Sequence, residues 1–100
     1  MPKIRIIETA KLPTGKVRFV ETQPALREKF EEARNQGKVT TLPQEYSNEG
    51  DLRVVKTTTL WNNKSDYEIF QTWYDGKYLA LGREYNLSNS IIIDRVITEE

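Results

Sequence analysis

The sequence contains neither cysteine nor histidine. Without cysteine the chain can form no disulfide and carry out no thiol chemistry, which is typical of proteins in the reducing interior of a cell. Without histidine it lacks the commonest general base and the commonest zinc ligand. No apolar run approaches the roughly 20 residues of a membrane-spanning helix, and the polar N-terminus is unlike a signal peptide. We therefore expect a soluble protein of the cytoplasm, or one carried in a virion assembled in a host cytoplasm.

The chain also lacks an excess of either charge, with fifteen basic and fifteen acidic residues. Proteins that bind nucleic acid or membrane surfaces without specificity usually carry a basic excess. The five glycines are scattered and form no phosphate-binding loop. The stretch LRVVKTTTLW has no aromatic ring before its last residue, unlike the central strands of RNA-recognition modules. The sequence therefore predicts no nucleic-acid partner, no membrane contact and no cofactor.

The first 22 residues predict a β-hairpin. Residues 3–12 mix β-branched and charged side chains, as strands do, and Pro13-Thr14-Gly15 is a turn sequence. In residues 16–22, Val17 and Phe19 alternate with charged neighbours, which is the period of a strand. The alternative is one strand followed by an elaborated loop, and the sequence leaves that choice open.

An amphipathic helix follows the hairpin. Thr22 is a suitable N-cap, Pro24 fits the first turn, and Gly37 ends the helix. The apolar stripe consists of Leu26, Phe30 and Ala33, with charged residues opposite. A single narrow stripe predicts a helix that covers one side of a sheet.

The remainder of the chain predicts three strands and a second helix. Ser65 and Glu68 form a capping box at the start of this helix, and Asp75-Gly76 divides it into two parts. The predicted elements are a short strand over 39–42, a polar turn over 47–51, the strongest strand over 52–61, the two-part helix to about residue 86, a last strand over 91–97 and a solvated tail over 98–100.

The order of elements, β(β)αββαβ, predicts an α+β fold of the ferredoxin-like type in one domain over residues 1–100. Both helices then lie on one face of an antiparallel sheet, and the other face must meet water, a ligand or a partner. In the strand 52–61 one face carries Val54, Lys56, Thr58 and Leu60, and the other carries Val55, Thr57, Thr59 and Trp61. Because neither face is wholly polar, the uncovered one would expose an apolar patch.

Six residues form the candidate site, which is a ligand pocket or an interface: Trp61, Asn62, Tyr67, Phe70, Trp73 and Arg83. Aromatic rings near a helix–sheet junction are most often core, but they also line pockets for flat ligands and protein contacts. The carboxylates are weaker candidates for a functional site, because Glu68 and Asp66 suit the start of a helix and Asp75 suits a turn. The sequence therefore predicts no catalytic residue and no metal site.

Residues 38–97 carry a family resemblance. In VVKTTTLWNNKSDYEIFQTWYDGKYLALGREYN a strand ends in tryptophan, a Ser/Asn-rich cap follows, and an aromatic helix leads into a second helical segment. This pattern resembles the antibiotic-biosynthesis-monooxygenase-like members of the dimeric α/β barrel group, and small phage-encoded proteins of that shape. The resemblance implies homodimers formed by stacking two open sheet faces.

The resemblance implies two different sites. Haem-degrading members use a strand asparagine, a helix tryptophan and a histidine, and the matching positions here fall at Ile7 and Glu8, at Phe70 and Trp73, and near Ala80. Without histidine, haem degradation is not expected. Cofactor-free quinone-forming members line a pocket with residue types that match Trp61, Asn62, Tyr67 and Arg83.

We predict a protein without enzymatic activity that acts through protein–protein contacts. It would be a homo-oligomer or a building block of a larger assembly, such as a phage virion. The alternative is a cofactor-free monooxygenase or small-ligand-binding protein of the dimeric α/β barrel type. A small inhibitor of a host protein is a third interpretation, which the sequence does not separate from the first.

Overall fold

The computed structural model describes residues 2–100, which form one antiparallel sheet and three α-helices. The elements are β1 (Ile4–Leu12), a short 3₁₀ helix (Phe19–Thr22), α1 (Pro24–Asn35), β2 (Val39–Thr41), β3 (Glu45–Glu49), β4 (Leu52–Trp61), α2 (Lys64–Lys77), α3 (Leu79–Ser88) and β5 (Ile92–Glu99). The strand order is β2-β4-β1-β5, and β3 pairs with the first half of β4. Within residues 2–100 no helix is both long enough and apolar enough to cross a membrane.

The register of β1 determines which side chains meet the helices. Ile4 lies opposite Trp61 of β4 and opposite Glu99 of β5. Because side chains alternate along a strand, the even-numbered residues of β1 face the helices and the odd-numbered ones face away. The same alternation places Val55 and Trp61 under the helices and Leu60 on the other face, so the predicted division of this strand is confirmed.

The core between helices and sheet consists of two clusters of buried residues. The first contains Ile4, Ile6, Ala33, Val39 and Trp61, against which Phe30, Tyr67 and Phe70 pack. The second contains Ala10, Leu12, Val55 and Ile91, against which Tyr85 packs. The first cluster holds α1 and α2 on the sheet, and the second holds α3.

The predicted N-terminal hairpin over residues 3–22 is wrong. Residues 16–18 are in no strand, and Phe19–Thr22 is a 3₁₀ helix. Both edges of β1 are already occupied, by β4 on one side and β5 on the other, so a strand at 16–22 would have no edge of β1 to pair with. Phe19 is instead buried against α3, with its ring centroid 5.6 Å from that of Tyr85.

Gly82 allows this close approach of α3 to the 3₁₀ helix. A Cβ atom at position 82 would lie 3.3 Å from the ring of Phe19 and 3.1 Å from the Tyr74 hydroxyl. Glycine usually weakens a helix because it is flexible, but at position 82 its missing side chain leaves room for Phe19 and Tyr74.

Two further boundaries differ from the predictions. The polar turn expected over 47–51 is mostly strand, because β4 is far longer than β2 and its first half pairs with β3. Only Gly50 and Asp51 form the turn, with Gly50 at φ +59°. The expected tail over 98–100 is exposed but paired, since Lys3 and Glu100 exchange two backbone hydrogen bonds.

The helix ends also correct the sequence analysis. Thr22 is not the N-cap of α1, because its hydroxyl donates to the Phe19 carbonyl and Gln23 occupies the cap position. The capping box of Ser65 and Glu68 does not form. Instead the side-chain oxygen of Asn63 accepts the Ser65 N–H at 2.8 Å, and α2 begins at Lys64. The second helix is in two parts, as predicted, but the break is not at Asp75-Gly76. Both of these residues are helical, and the break falls at Tyr78, between the end of α2 at Lys77 and the start of α3 at Leu79.

Asn63→Ala is expected to lower the free energy of unfolding by about 1 kcal/mol, because it leaves the Ser65 N–H without its acceptor. Ser65→Ala is the matched control and should change stability little, since the Ser65 side chain does not cap the helix. Urea denaturation followed by circular dichroism measures both. A larger loss of stability for Ser65→Ala than for Asn63→Ala would contradict the Asn63 cap and support the predicted capping box.

Candidate functional site

Three of the six candidate residues, Trp61, Tyr67 and Phe70, pack together in the first core cluster, and Trp73 adjoins them through Phe70. Trp61 is 2% exposed, and its ring centroid is 5.2 Å from Phe70 and 6.0 Å from Tyr67. Phe70 in turn lies 5.7 Å from Trp73. Rings at these spacings and tilts are in direct packing contact. The packing favours a core role for Trp61 and Phe70.

Trp73, Asn62 and Arg83 do not belong to the first core cluster. Trp73 is half-buried at the helix surface, with the Lys29 and Lys77 ammonium groups 5.5 and 5.6 Å from its ring centroid. The Asn62 amide donates to the Gly37 carbonyl at 2.7 Å, which ties the end of β4 to the loop after α1. Arg83 is exposed on α3. The structure therefore brings the aromatic residues together but places Asn62 and Arg83 outside their cluster.

A polar band separates the two core clusters. Glu8 lies opposite Thr57 of β4 and Arg95 of β5, all three on the helix side of the sheet. Arg18 donates from Nη1 to the Thr57 hydroxyl at 3.0 Å and so attaches the segment after β1 to the sheet. Burial, and then the negative charge of Glu8, raise the pKa of the Tyr74 phenol. The Arg18 contact holds the segment that leads into α1 on the sheet.

Two shallow concavities lie on the outer surface, away from the aromatic cluster. One follows the solvent side of α1, and the other lies beside the N-terminus of α2. Trp61, Tyr67, Phe70 and Trp73 line neither of them. These two concavities therefore provide no pocket at the predicted position.

The open face of the sheet, defined here as the face turned away from the helices, has an apolar centre. Ile7 of β1 lies between Thr58 of β4 and Val96 of β5 in the register. Leu60 lies on the same face, and Ile7 and Leu60 are each partly exposed. Val96 is 51% exposed and Ile92, also on this face, is 57% exposed.

Ion pairs surround this apolar centre. The Lys11 ammonium lies 2.9 Å from Glu49, and the Lys56 ammonium lies 3.6 Å from Glu45. At the other end of the face, Arg5 donates to the Glu100 carboxylate and thereby lowers the pKa of that carboxyl. By strand alternation all three pairs lie on the open face.

An apolar centre inside a charged rim is the anatomy of a protein interface. Leu60 was predicted to lie on one face of its strand, but that face was not predicted to be the open one, and neither Ile7 nor Val96 was assigned to it. The alternation of side chains along β1 was a usable signal, because it places Ile7 with Arg5 on the face opposite Ile4 and Ile6. The position of Val96 beside Ile7 depends on the register of β5 against β1, which cannot be read from the sequence.

One solved structure supports the fold. A dimeric ferredoxin-like protein from an uncultured marine organism is 10% identical, with 100% of this chain and 96% of that chain covered and a TM-score of 0.54. The de novo designed protein Foldit4 is 13% identical, with coverage of 100% and 99% and a TM-score of 0.49. Neither a protein-family model nor a curated protein sequence matches this chain. The chain has the ferredoxin-like α+β fold, as its sequence predicts.

Proposed function

We propose that this protein works without catalysis, through protein–protein contacts, and that its open sheet face binds a second copy of itself. The observation that carries the proposal is the one-sided cover of the sheet. All three helices lie on one face, while Ile7, Leu60 and Val96 form the centre of the other. Apolar groups placed in this way gain free energy when a partner removes them from water.

A second copy suits this face because its charges are arranged in a rim. Basic side chains follow β1, and acidic ones lie towards both edges, at Glu49 and Glu100. A two-fold axis through the face brings identical patches together, so apolar centre meets apolar centre. The dimeric state of the marine ferredoxin-like protein is consistent with such pairing on this fold.

The proposal that the protein is not an enzyme rests on residue chemistry. Trp61, the residue shared by the pocket and core interpretations, is 2% exposed and surrounded by other rings. The chain offers neither a cysteine nor a histidine as nucleophile or base. Membership of a larger assembly, such as a phage particle, is a prediction from the family resemblance.

Ile7→Lys tests the proposal, because it places a charge at the centre of the open face without touching the helix side. We expect the wild type to be at least dimeric at tens of micromolar, and the variant to weaken face pairing about 30-fold or more, the equivalent of a 2 kcal/mol hot spot. Light scattering coupled to gel filtration measures the masses. Ile69→Lys, at a 68% exposed position on the outer side of α2, is the matched control and should leave the mass unchanged.

Circular dichroism confirms that both variants fold. A wild type with the mass of one protomer at these concentrations would contradict the proposal. So would an Ile7→Lys variant that associates as tightly as the control.

A further inference from the structure

The last strand, β5, is exposed on both faces. Ile92 and Val96 lie on the open face, but Ile93 and Ile97, on the helix side, are also 38% and 50% exposed. A second copy stacked on the open face would cover the first two side chains and leave the other two in water. Face pairing alone therefore does not account for the apolar residues of this strand.

The outer edge of β5 is free to accept another strand. Lys3 and Glu100 exchange both backbone hydrogen bonds, so the hydrogen-bonded positions of the β1–β5 ladder are the even-numbered residues of β5. The N–H and C=O groups of the alternate residues point away from β1. These residues are Ile93, Arg95, Ile97 and Glu99.

The opposite edge of the sheet carries features that oppose strand addition, and the edge of β5 lacks them. There the edge is divided between β2 and β3, with Pro43 in the gap, and β3 has Glu45 and Glu49 at its ends and one large ring, Tyr46, between them. Proline and charge are common devices against strand addition. β5 has no proline and carries four large apolar side chains over eight residues.

We propose that β5 pairs antiparallel with β5 of a second copy, which extends the sheet across both protomers. The register that we assign places Ile97 on the two-fold axis, opposite the partner's Ile97. Arg95 then lies opposite the partner's Glu99, and the symmetry repeats this pair of opposite charges on the other side of the axis. On the other face Val96 lies opposite the partner's Thr98.

Both charged groups have atoms available for this contact. Arg95 donates to the Tyr67 hydroxyl and to Gln71 through Nη2 alone, which leaves Nε and Nη1 as donors. Glu99 accepts from Lys64 through Oε2, which leaves Oε1 as an acceptor. The intramolecular contacts hold these side chains in place and reduce the entropy lost when a partner binds.

The three registers with the axis at Asp94, Arg95 or Val96 are less favourable. An axis at Asp94 or Arg95 would bring two identical charges opposite each other. An axis at Val96 would place Arg95 opposite the partner's Ile97 and pair no opposite charges. In the assigned register Asp94 lies opposite the partner's Glu100, whose charge is already balanced by a bond from Arg5 within its own protomer.

The edge interface is separate from the proposed face interface and does not depend on it. Each is an isologous two-fold contact on a different surface. If both form, the protein assembles as a tetramer or as a longer array. If only the edge contact forms, the protein is a dimer that Ile7→Lys does not dissociate.

Amide hydrogen exchange on the wild-type protein tests the edge contact directly. The amides of Arg95, Ile97 and Glu99 have no ladder acceptor among residues 2–100 of their own protomer, so they should exchange rapidly when the protein is dilute and monomeric. We expect their exchange to slow as the concentration rises, because each gains an acceptor in the partner strand. Rapid exchange of these three amides at the concentration of greatest mass would overturn the proposal.

Ile97→Pro gives an independent test by mass. It removes an N–H that makes no bond to β1, and an edge strand tolerates proline at such a position. Ile97→Thr keeps the N–H and is the matched control. We expect Ile97→Pro to lower the mass to that of a face-paired dimer, or to that of one protomer if the edge contact alone forms. Ile97→Thr should retain more association than the proline variant.

The two proposals fail in different ways. A dimer that Ile7→Lys dissociates and Ile97→Pro leaves intact overturns the edge contact and supports face pairing. A dimer that Ile97→Pro dissociates and Ile7→Lys leaves intact supports the edge contact and overturns face pairing. If Ile97→Pro does not fold by circular dichroism, the exchange of the wild-type amides decides the question.

Discussion

Trp61→Ala is expected to lower the free energy of unfolding by about 3–5 kcal/mol, the range for truncating a buried aromatic side chain. The ring is 2% exposed at the end of β4 and contacts Phe30 of α1 and Phe70 of α2. Its removal leaves a cavity where two helices meet the sheet. Since small domains are stable by only about 5–15 kcal/mol, the variant should be severely destabilised.

Trp73→Ala is the matched control for this prediction. The Trp73 ring is only half-buried and is flanked by two lysine side chains at the surface of α2. We expect a loss of about 1–2 kcal/mol, within the ordinary range for single substitutions. Urea denaturation with circular dichroism detection avoids relying on tryptophan fluorescence, which both variants alter. Equal losses for the two variants would contradict the assignment of Trp61 as the central core ring.

Leu12→Ala is expected to lower the free energy of unfolding by about 2–5 kcal/mol. Leu12 has no exposed surface and belongs to the second cluster, with Ala10, Val55 and Ile91. That cluster holds α3 on the sheet, so the variant should also loosen α3. Chemical denaturation measures the loss of stability, and exchange of the α3 amides reports the local effect.

Leu87→Ala is the control for Leu12→Ala, because the same side chain is removed from a position that is 83% exposed on α3. We expect a change within about 0.5 kcal/mol. A loss for Leu12→Ala no larger than that of Leu87→Ala would mean that the second cluster contributes little to stability.

The elements with strong local signals were predicted correctly. The β-branched run of residues 52–61 is β4, with the predicted ends. α1 begins at Pro24, and Gly37, at φ +73°, follows its end, because a residue in the left-handed region stops a helix there. These signals act within a few residues, so they are readable without tertiary contacts.

The errors arose where the competition for strand edges decided the structure. Val17 and Phe19 alternate as in a strand, but β1 has no free edge for them, and Phe19 packs on α3 instead. β3 shows the reverse case. Its residues have no apolar alternation, yet they form a strand because the first half of β4 needs a pairing partner. Neither outcome is encoded in the local pattern.

In the candidate site, too, some features could be predicted from the sequence and others depended on the tertiary structure. The aromatic residues of α2 and the end of β4 were correctly expected to lie near one another, because the spacing within α2 and the topology require it. Whether they line a pocket stays a prediction, while the observed packing of Trp61 favours the core. The open face was expected from the one-sided helices, but Ile7 and Val96 meet at its centre only through the register of β1 with β5.

Local patterns in the sequence were enough to predict the class of fold and the order of its main elements, because composition, periodicity and turn residues act over short stretches of chain. Which strand edges are occupied, which rings are buried and which apolar side chains remain in water followed from tertiary packing alone. Those properties depend on contacts between residues far apart in the chain, such as Ile7 with Val96 and Trp61 with Phe30. They also determine where a second copy can bind.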